Sequence, residues 1–261
     1  MYIRILMMFF IAALMTSCVS QKEVTYFQAN DKNSDLQQQE IKEKFIARLQ
    51  AGDILGIMVS SLSPEANAMF NPYPAALAGQ IQNVSSNAPL PAIGFLVDET
   101  GEVALPLTGK IKVAGLSTKE ATDLITNKLE QYLVQPTVNV RILNFKISIL
   151  GEVARPSVYT IPNEKITLPE ALSLAGDLTI FGKRNNILVI REIDGKREFA
   201  RLDLTKRDFF NSPYYYLKAN DVIYVEAGKG RYTATDRVVQ LAPIFISALT
   251  LITVVSMNLL R

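Results

Sequence analysis

Few residues in this 261-residue chain are equipped to make or break bonds. Histidine is absent, and Cys18 is the single cysteine. That composition excludes an intrachain disulfide, Ser-His-Asp or Cys-His catalysis, and most transition-metal sites, all of which need imidazole or several thiolates. Hydrolysis or cleavage of a glycan would need paired carboxylates facing each other across a cleft. Asp98/Glu99 and Asp203/Asp208 are close enough in sequence to consider, but both pairs read as turn and surface residues. Catalytic residues, cofactors and metal ligands are therefore all expected to be none. Tyr214, Tyr215 and Tyr216 form a run that can stack on sugar rings, although such triplets more often pack half-buried along an edge. The Cys18 thiol has a different setting, because it closes an apolar leader and can be acylated there.

Residues 1–17 have the form of an export signal: Arg4 near the start, an apolar run from Ile5 to Met15, then small residues before Cys18. The apolar run is too short to span a bilayer as a mature helix. Met15-Thr16-Ser17-Cys18 resembles a bacterial lipobox, departing from it where Met15 replaces the usual Leu. The resemblance implies cleavage before Cys18 and lipidation of its thiol and new N-terminus. At about 0.8 kcal/mol per buried CH₂, one acyl chain anchors marginally and two or three hold firmly. Val19 occupies the position where an Asp favours inner-membrane retention, which points to the outer membrane, with the folded domains in the periplasm. Residues 18–44 are polar and rich in Gln and read as a tether.

With 49% apolar and 20% charged residues, the remaining length suffices for one or two ordinary domains. A net charge of +2, with Lys and Arg scattered among acids, makes no case for nucleic acid. The first domain, 45–143, opens with the turn Ala51-Gly52-Asp53 and an apolar strand to Val59. From Ser61 to Ala92 the chain is rich in Pro, Asn, Ser and Ala, without a period, and reads as a long surface loop. Strand, turn and strand follow between Gly94 and Pro106. A helix then starts at a Ser117/Glu120 capping box, with Ala121, Leu124, Ile125, Leu129, Tyr132 and Leu133 on one face and an end at Gln135-Pro136. Val138, Val140 and Ile142 alternate as a strand.

The second domain, 144–228, begins with the alternating strand Ile147–Leu150 and a turn at Arg155-Pro156-Ser157. The strand Val158–Ile161 leads to a helix with Thr167 and Glu170 as its capping box, Pro169 in its first turn and Gly176 as its left-handed end. Its expected apolar face is Ala171, Leu172, Leu174 and Ala175. Ile187–Ile190 reads as a buried strand, closed by an Asp194-Gly195 hairpin turn. The fold class expected is α+β, with a β-grasp-like second module. Leu217–Val225 echoes Leu49–Val59 as turn, acid and apolar strand.

Residues 236–261 hold an uncharged stretch, Val238–Leu260, between Arg237 and Arg261. As a helix it is about 34 Å long against a hydrocarbon core of about 30 Å, so a transmembrane span is expected. Gln240, Ser247, Thr250 and Asn258 fall within about 80° on a helical wheel at 100° per residue. They form either a weakly polar stripe toward other helices or a pore, or hydroxyls bonded back to their own helix.

Two stretches carry family resemblances. Gly52, Asp53, Val97, Asp98, Gly101, Pro106, Gly109, Val113, Gly115, Leu116, Pro136, Val138 and Val140 occupy positions that resemble the polysaccharide biosynthesis/export domain. Gly151, Val153, Pro156, Tyr159, Thr167, Glu170, Ala171, Ala175 and Gly176 resemble the SLBB domain, a soluble-ligand-binding β-grasp, with Ser157 where that pattern prefers Gly. The resemblance covers about residues 45–228. It implies an outer-membrane lipoprotein that assembles as a homo-oligomeric ring and exports capsular or extracellular polysaccharide. The implied partners are the polysaccharide itself and an inner-membrane polysaccharide co-polymerase. The C-terminal helix is less amphipathic than an open pore would ideally require. A reading from a different class is a monomeric SLBB lipoprotein that binds a soluble glycan or small ligand at the membrane.

Overall fold

The computed structural model describes residues 21–28, 45–71, 94–193 and 195–259. Cys18 and residues 72–93 lie outside that set.

In the first domain, β1 (Ile54–Ser60) pairs antiparallel with β2 (Phe95–Leu96) on one side and with β5 (Thr137–Ile142) on the other. Between them come α1 (Pro64–Phe70), the hairpin β3 (Glu102–Leu105) and β4 (Gly109–Lys112), and α2 (Thr118–Leu129). Strand alternation turns Leu55, Ile57, Val59, Val138 and Val140 inward against Ala121, Ile125 and Leu129 of α2, and this is the first core. The Ser117/Glu120 capping box is present with both of its hydrogen bonds.

Three expectations for this domain are corrected. The Ser61–Ala92 stretch is not loop throughout, since α1 lies within it and buries Phe70. Asn67 and Asn71 bond back to the main chain of Ser61 and Val59, so Asn side chains that read as loop formers staple this helix to β1. The next helix ends at Leu129 rather than at Gln135-Pro136. There the N–H of Leu133 still bonds to the Leu129 carbonyl, which keeps Leu133 in the core and leaves Tyr132 exposed.

The second domain is a five-stranded sheet in the order β10-β9-β12-β6-β7. Its strands are β6 (Lys146–Gly151), β7 (Ser157–Thr160), β9 (Gly182–Ile193), β10 (Lys196–Leu202) and β12 (Val222–Ala227). The first and last strands, β6 and β12, run parallel to each other; β7 pairs antiparallel outside β6, and the β9–β10 hairpin lies outside β12. A two-stranded ribbon of β8 (Ile166–Thr167) and β11 (Tyr216–Leu217) lies beside α3 (Leu168–Leu174). This is the expected β-grasp arrangement within an α+β chain. Gly151 sits at φ 91°, where a Cβ would collide with the Val225 carbonyl, so glycine is required at this close approach of β6 and β12. Thr167 caps α3 as anticipated, and Gly176 takes a left-handed φ of 77° just past its end. Ala171, Leu172 and Ala175 enter the core, whereas Leu174 faces outward, because a seven-residue helix lying on a sheet buries only one narrow stripe.

The inner sheet face carries Ile147, Ile149, Ile187, Val189, Ile223 and Val225 into the second core. The outer face is open. Register places Phe199, Ile190, Val222, Ser148 and Val158 in one row across all five strands, with Leu188, Tyr224 and Leu150 in the next. Phe199, Val158, Leu150 and Tyr224 are exposed there.

Only Leu143-Asn144-Phe145 separates β5 from β6. Leu143 donates its N–H to the Ile54 carbonyl, Phe145 is buried in the second core, and Ile142 packs against both cores. The second domain continues through Gly228 into α4 (Lys229–Thr235) and α5 (Arg237–Leu259), a 23-residue helix containing Pro243. It is the one helix among the described residues long and apolar enough to cross a membrane, and none of it is buried.

Candidate functional site

The turn that opens β1 and the turn that opens β12 flank a single cleft between the domains, with a volume of about 1160 Å³. In each turn an aspartate accepts a main-chain N–H from three residues earlier, Gln50 to Asp53 and Lys218 to Asp221, both at 2.8 Å. The residue before each aspartate is left-handed, Gly52 at φ 87° and Asn220 at φ 66°. The sequence echo between Leu49–Val59 and Leu217–Val225 is therefore a shared local structure.

Each turn is held differently. Asp221, 1% exposed, meets Arg191 at 2.6 Å, and the same guanidinium donates to the Tyr216 carbonyl at 2.9 Å. Arg191 also lies over the Tyr214 ring, 4.8 Å from its centroid. Asp53, 8% exposed, has no ion pair among the described residues, and burial raises its carboxyl above the ordinary aspartate value. Its turn is clamped instead by the linker: the Asn144 amide donates to the Gly52 carbonyl and its oxygen accepts from the Ile54 N–H, both at 2.9 Å.

Tyr214, Tyr215 and Tyr216 all line this cleft and all are half-buried. The Tyr214 hydroxyl donates to Glu198 at 2.6 Å, which pushes its pKa up. Tyr215 lies edge-on to Tyr216 and Phe209, and Tyr216 stacks on Phe45 with ring centroids 4.8 Å apart. Much of the triplet's aromatic surface is engaged by the protein itself.

The expected tether is in part a docked strap. The Phe27 and Gln28 N–H groups donate to the Leu204 and Thr205 carbonyls at 3.0 and 2.7 Å, and Arg207 donates to the Phe27 carbonyl. Phe27 stacks on Phe209 and leans on Phe210. The Tyr26 hydroxyl donates to Asp177 at 2.6 Å, and the Arg184 guanidinium lies over its ring. Burial first, then that carboxylate, raises the Tyr26 hydroxyl well above the usual tyrosine range. The strap therefore fastens the second domain a few residues beyond Cys18.

The sequence does not mark this docking, apart from an aromatic pair inside a Gln-rich segment. Arg191 was likewise missed; its one signal is a charge inside an otherwise apolar strand. On the C-terminal helix, Ser247 donates to the Pro243 carbonyl at 2.7 Å and Thr250 to the Ser247 carbonyl at 2.8 Å. Their hydroxyls are thus satisfied within the helix. The Gln240 N–H continues the helix to Asp236, and the Asn258 side chain lies outside the described residues.

One acid of each pair is held in local structure. Asp98 accepts from Thr100, the Glu102 N–H and Lys110, which hold its carboxyl well below the usual range. Asp203 accepts from both the N–H and the hydroxyl of Thr205. Among the described residues no group of three or more Cys, Asp or Glu is placed to hold a metal.

Two families match successive parts of the chain. Residues 42–143 match the polysaccharide biosynthesis/export protein family, and residues 145–225 match the SLBB domain. The chain is similar to the EPS I polysaccharide export outer membrane protein EpsA of Ralstonia solanacearum, 31% identical over 183 residues. It is also similar to the protein of the same name from Ralstonia nicotianae, 29% identical over 184 residues. Each match takes in 69% of this chain and 47% of the relative, so the chain spans about half the length of the curated relatives it matches.

Proposed function

With a polysaccharide biosynthesis/export domain followed by an SLBB domain as its architecture, we propose that the chain is an outer-membrane subunit of a translocon that exports capsular or extracellular polysaccharide. The observation that carries this reading is the joining of those two domains to a single apolar helix long enough to cross a bilayer. The periplasmic domains enclose a path for hydrated polymer, and the helix carries that path into the membrane. No covalent step is needed, so the subunit is a conduit and not an enzyme. It receives polymer from an inner-membrane co-polymerase.

The anchors also fit. The strap brings the chain from Cys18 to the second domain at Tyr26, beside Arg184 on β9, and the helix leaves the same domain beyond Ala227, which pairs with Gly182 on that strand. Tyr26 of the strap and the root of the helix therefore both lie against β9. The open sheet face bearing Phe199, Val158, Leu150 and Tyr224 supports assembly with further copies, since exposed apolar patches of this kind commonly mark interfaces.

The test is complementation of a deletion strain with the full chain and with a chain ending at Asp236. The full chain restores surface polymer, and the shortened one leaves polymer in the periplasm. Equal restoration by both forms contradicts the proposal. The cleft lined by Tyr214 and Tyr216 favours a second reading, a monomeric lipoprotein that captures soluble glycan.

A further inference from the structure

The end of the second domain from which the helix departs carries more than the helix itself. Gly228 donates its N–H to the Phe181 carbonyl at 2.7 Å, so the Thr179–Gly182 loop lies against the start of α4. At the tip of that loop Ile180 is 75% exposed, an isolated large aliphatic with no core to join. Tyr232, on α4, is 69% exposed. Basic side chains flank both: Lys183, which pairs with Glu226, Arg231, which pairs with Glu152, and also Lys229 and Arg237. The acids of this end are Glu152, Glu226, Asp177 and Asp236. The first two are matched by those cations, Asp177 accepts the Tyr26 hydroxyl, and Asp236 caps the Val238 N–H at 2.9 Å.

An aliphatic tip and an amphipathic tyrosine, with cations close by in sequence at the root of a membrane-length helix, form a pattern that settles at a bilayer surface. The apolar groups reach below the headgroups, the phenol stays at their level and the cations meet phosphates. We propose that this collar, Ile180 with Tyr232, Lys229 and Arg231, is a second membrane contact made by the body of the domain on anionic phospholipid. The inference rests on the helix spanning the membrane, as proposed above. Its consequence is mechanical: a helix alone leaves the domain free to swivel, whereas a seated collar fixes its tilt. The strap reinforces this, because Tyr26 bonds to Asp177 directly before Leu178 at the root of the same loop.

The test uses the full chain reconstituted in vesicles of phosphatidylethanolamine and phosphatidylglycerol. Single cysteines at Ile180→Cys, Met58→Cys and Ile252→Cys are labelled with an environment-sensitive fluorophore, and the wild-type chain reports any labelling of Cys18. Lipids carrying a shallow nitroxide are the quencher. The fluorophore at position 180 is quenched several-fold more than at 58, an exposed site on the first domain, and K229E/R231E lowers that quenching toward the value at 58. Quenching at 252 with none at 180 overturns the collar and leaves the spanning helix intact. No quenching at either position overturns both. Equal quenching at 180 in vesicles of phosphatidylcholine alone overturns the anionic part of the assignment.

Discussion

The two turns that open β1 and β12 share a backbone and differ in what secures them. Both place a buried aspartate after a left-handed residue and use it to accept the same main-chain N–H. In the second domain the aspartate is neutralised by Arg191, which also holds the 213–217 segment, so that the lock is internal to the domain. In the first domain the corresponding aspartate has no cation among the described residues, and the lock is Asn144, from the linker. The opening turn of β12 is thus secured within its own domain. The first domain has its opening turn fastened to the linker by those two hydrogen bonds.

Breaking the internal lock has the largest expected effect. Arg191→Met leaves the Asp221 carboxylate buried without compensation, a loss of about 3–5 kcal/mol. Segment-resolved hydrogen exchange should show it as lost protection across 182–227 with little change in 45–143, and adding Asp221→Leu should recover much of it. Loss spread equally over both domains would contradict the internal-lock description.

Asn144→Ala removes two hydrogen bonds, one from the half-buried Ile54 N–H and one to the exposed Gly52 carbonyl, a cost of about 1–3 kcal/mol. Unlike the Arg191 change, it should raise proteolytic cleavage between Ile142 and Lys146 and exchange at Gly52–Ile54. A variant that only lowers global stability, with the junction still protected, would dissolve the contrast between the turns.

The smallest effect is at Asp53. Burial raises its folded-state pKa, so the folded protein resists its ionisation, and stability falls as pH rises from the unfolded toward the folded value. Asp53→Asn keeps the acceptor for Gln50 and removes that cost. It should therefore be slightly more stable than the parent at neutral pH, and the advantage should vanish on acidification below the ordinary carboxylate range.

What could be read from the sequence followed from how local each signal is. The capping boxes at Ser117/Glu120 and Thr167/Glu170 and the two aspartate turns depend on residues no more than three apart, and all are present. The Arg191–Asp221 pair spans 30 residues, and the Tyr26–Asp177 bond spans 151. No period or propensity reports such contacts. The helix at Pro64–Phe70 was hidden for the opposite reason, since Asn residues that favour turns act there as side-chain staples to β1. The cleft tyrosines were visible as a run, but their mutual packing depends on Phe45, Phe209 and Arg191, which arrive from elsewhere.

The most direct test of the account is the mass and shape of the full-length protein in mild detergent, beside a chain ending at Asp236. The account predicts that the full chain is a large homo-oligomer with a central opening in negative stain. It also predicts that the shortened chain loses membrane spanning while keeping its lipid anchor. A full-length protein that stays monomeric at every concentration would contradict the conduit and leave the glycan-binding lipoprotein in its place.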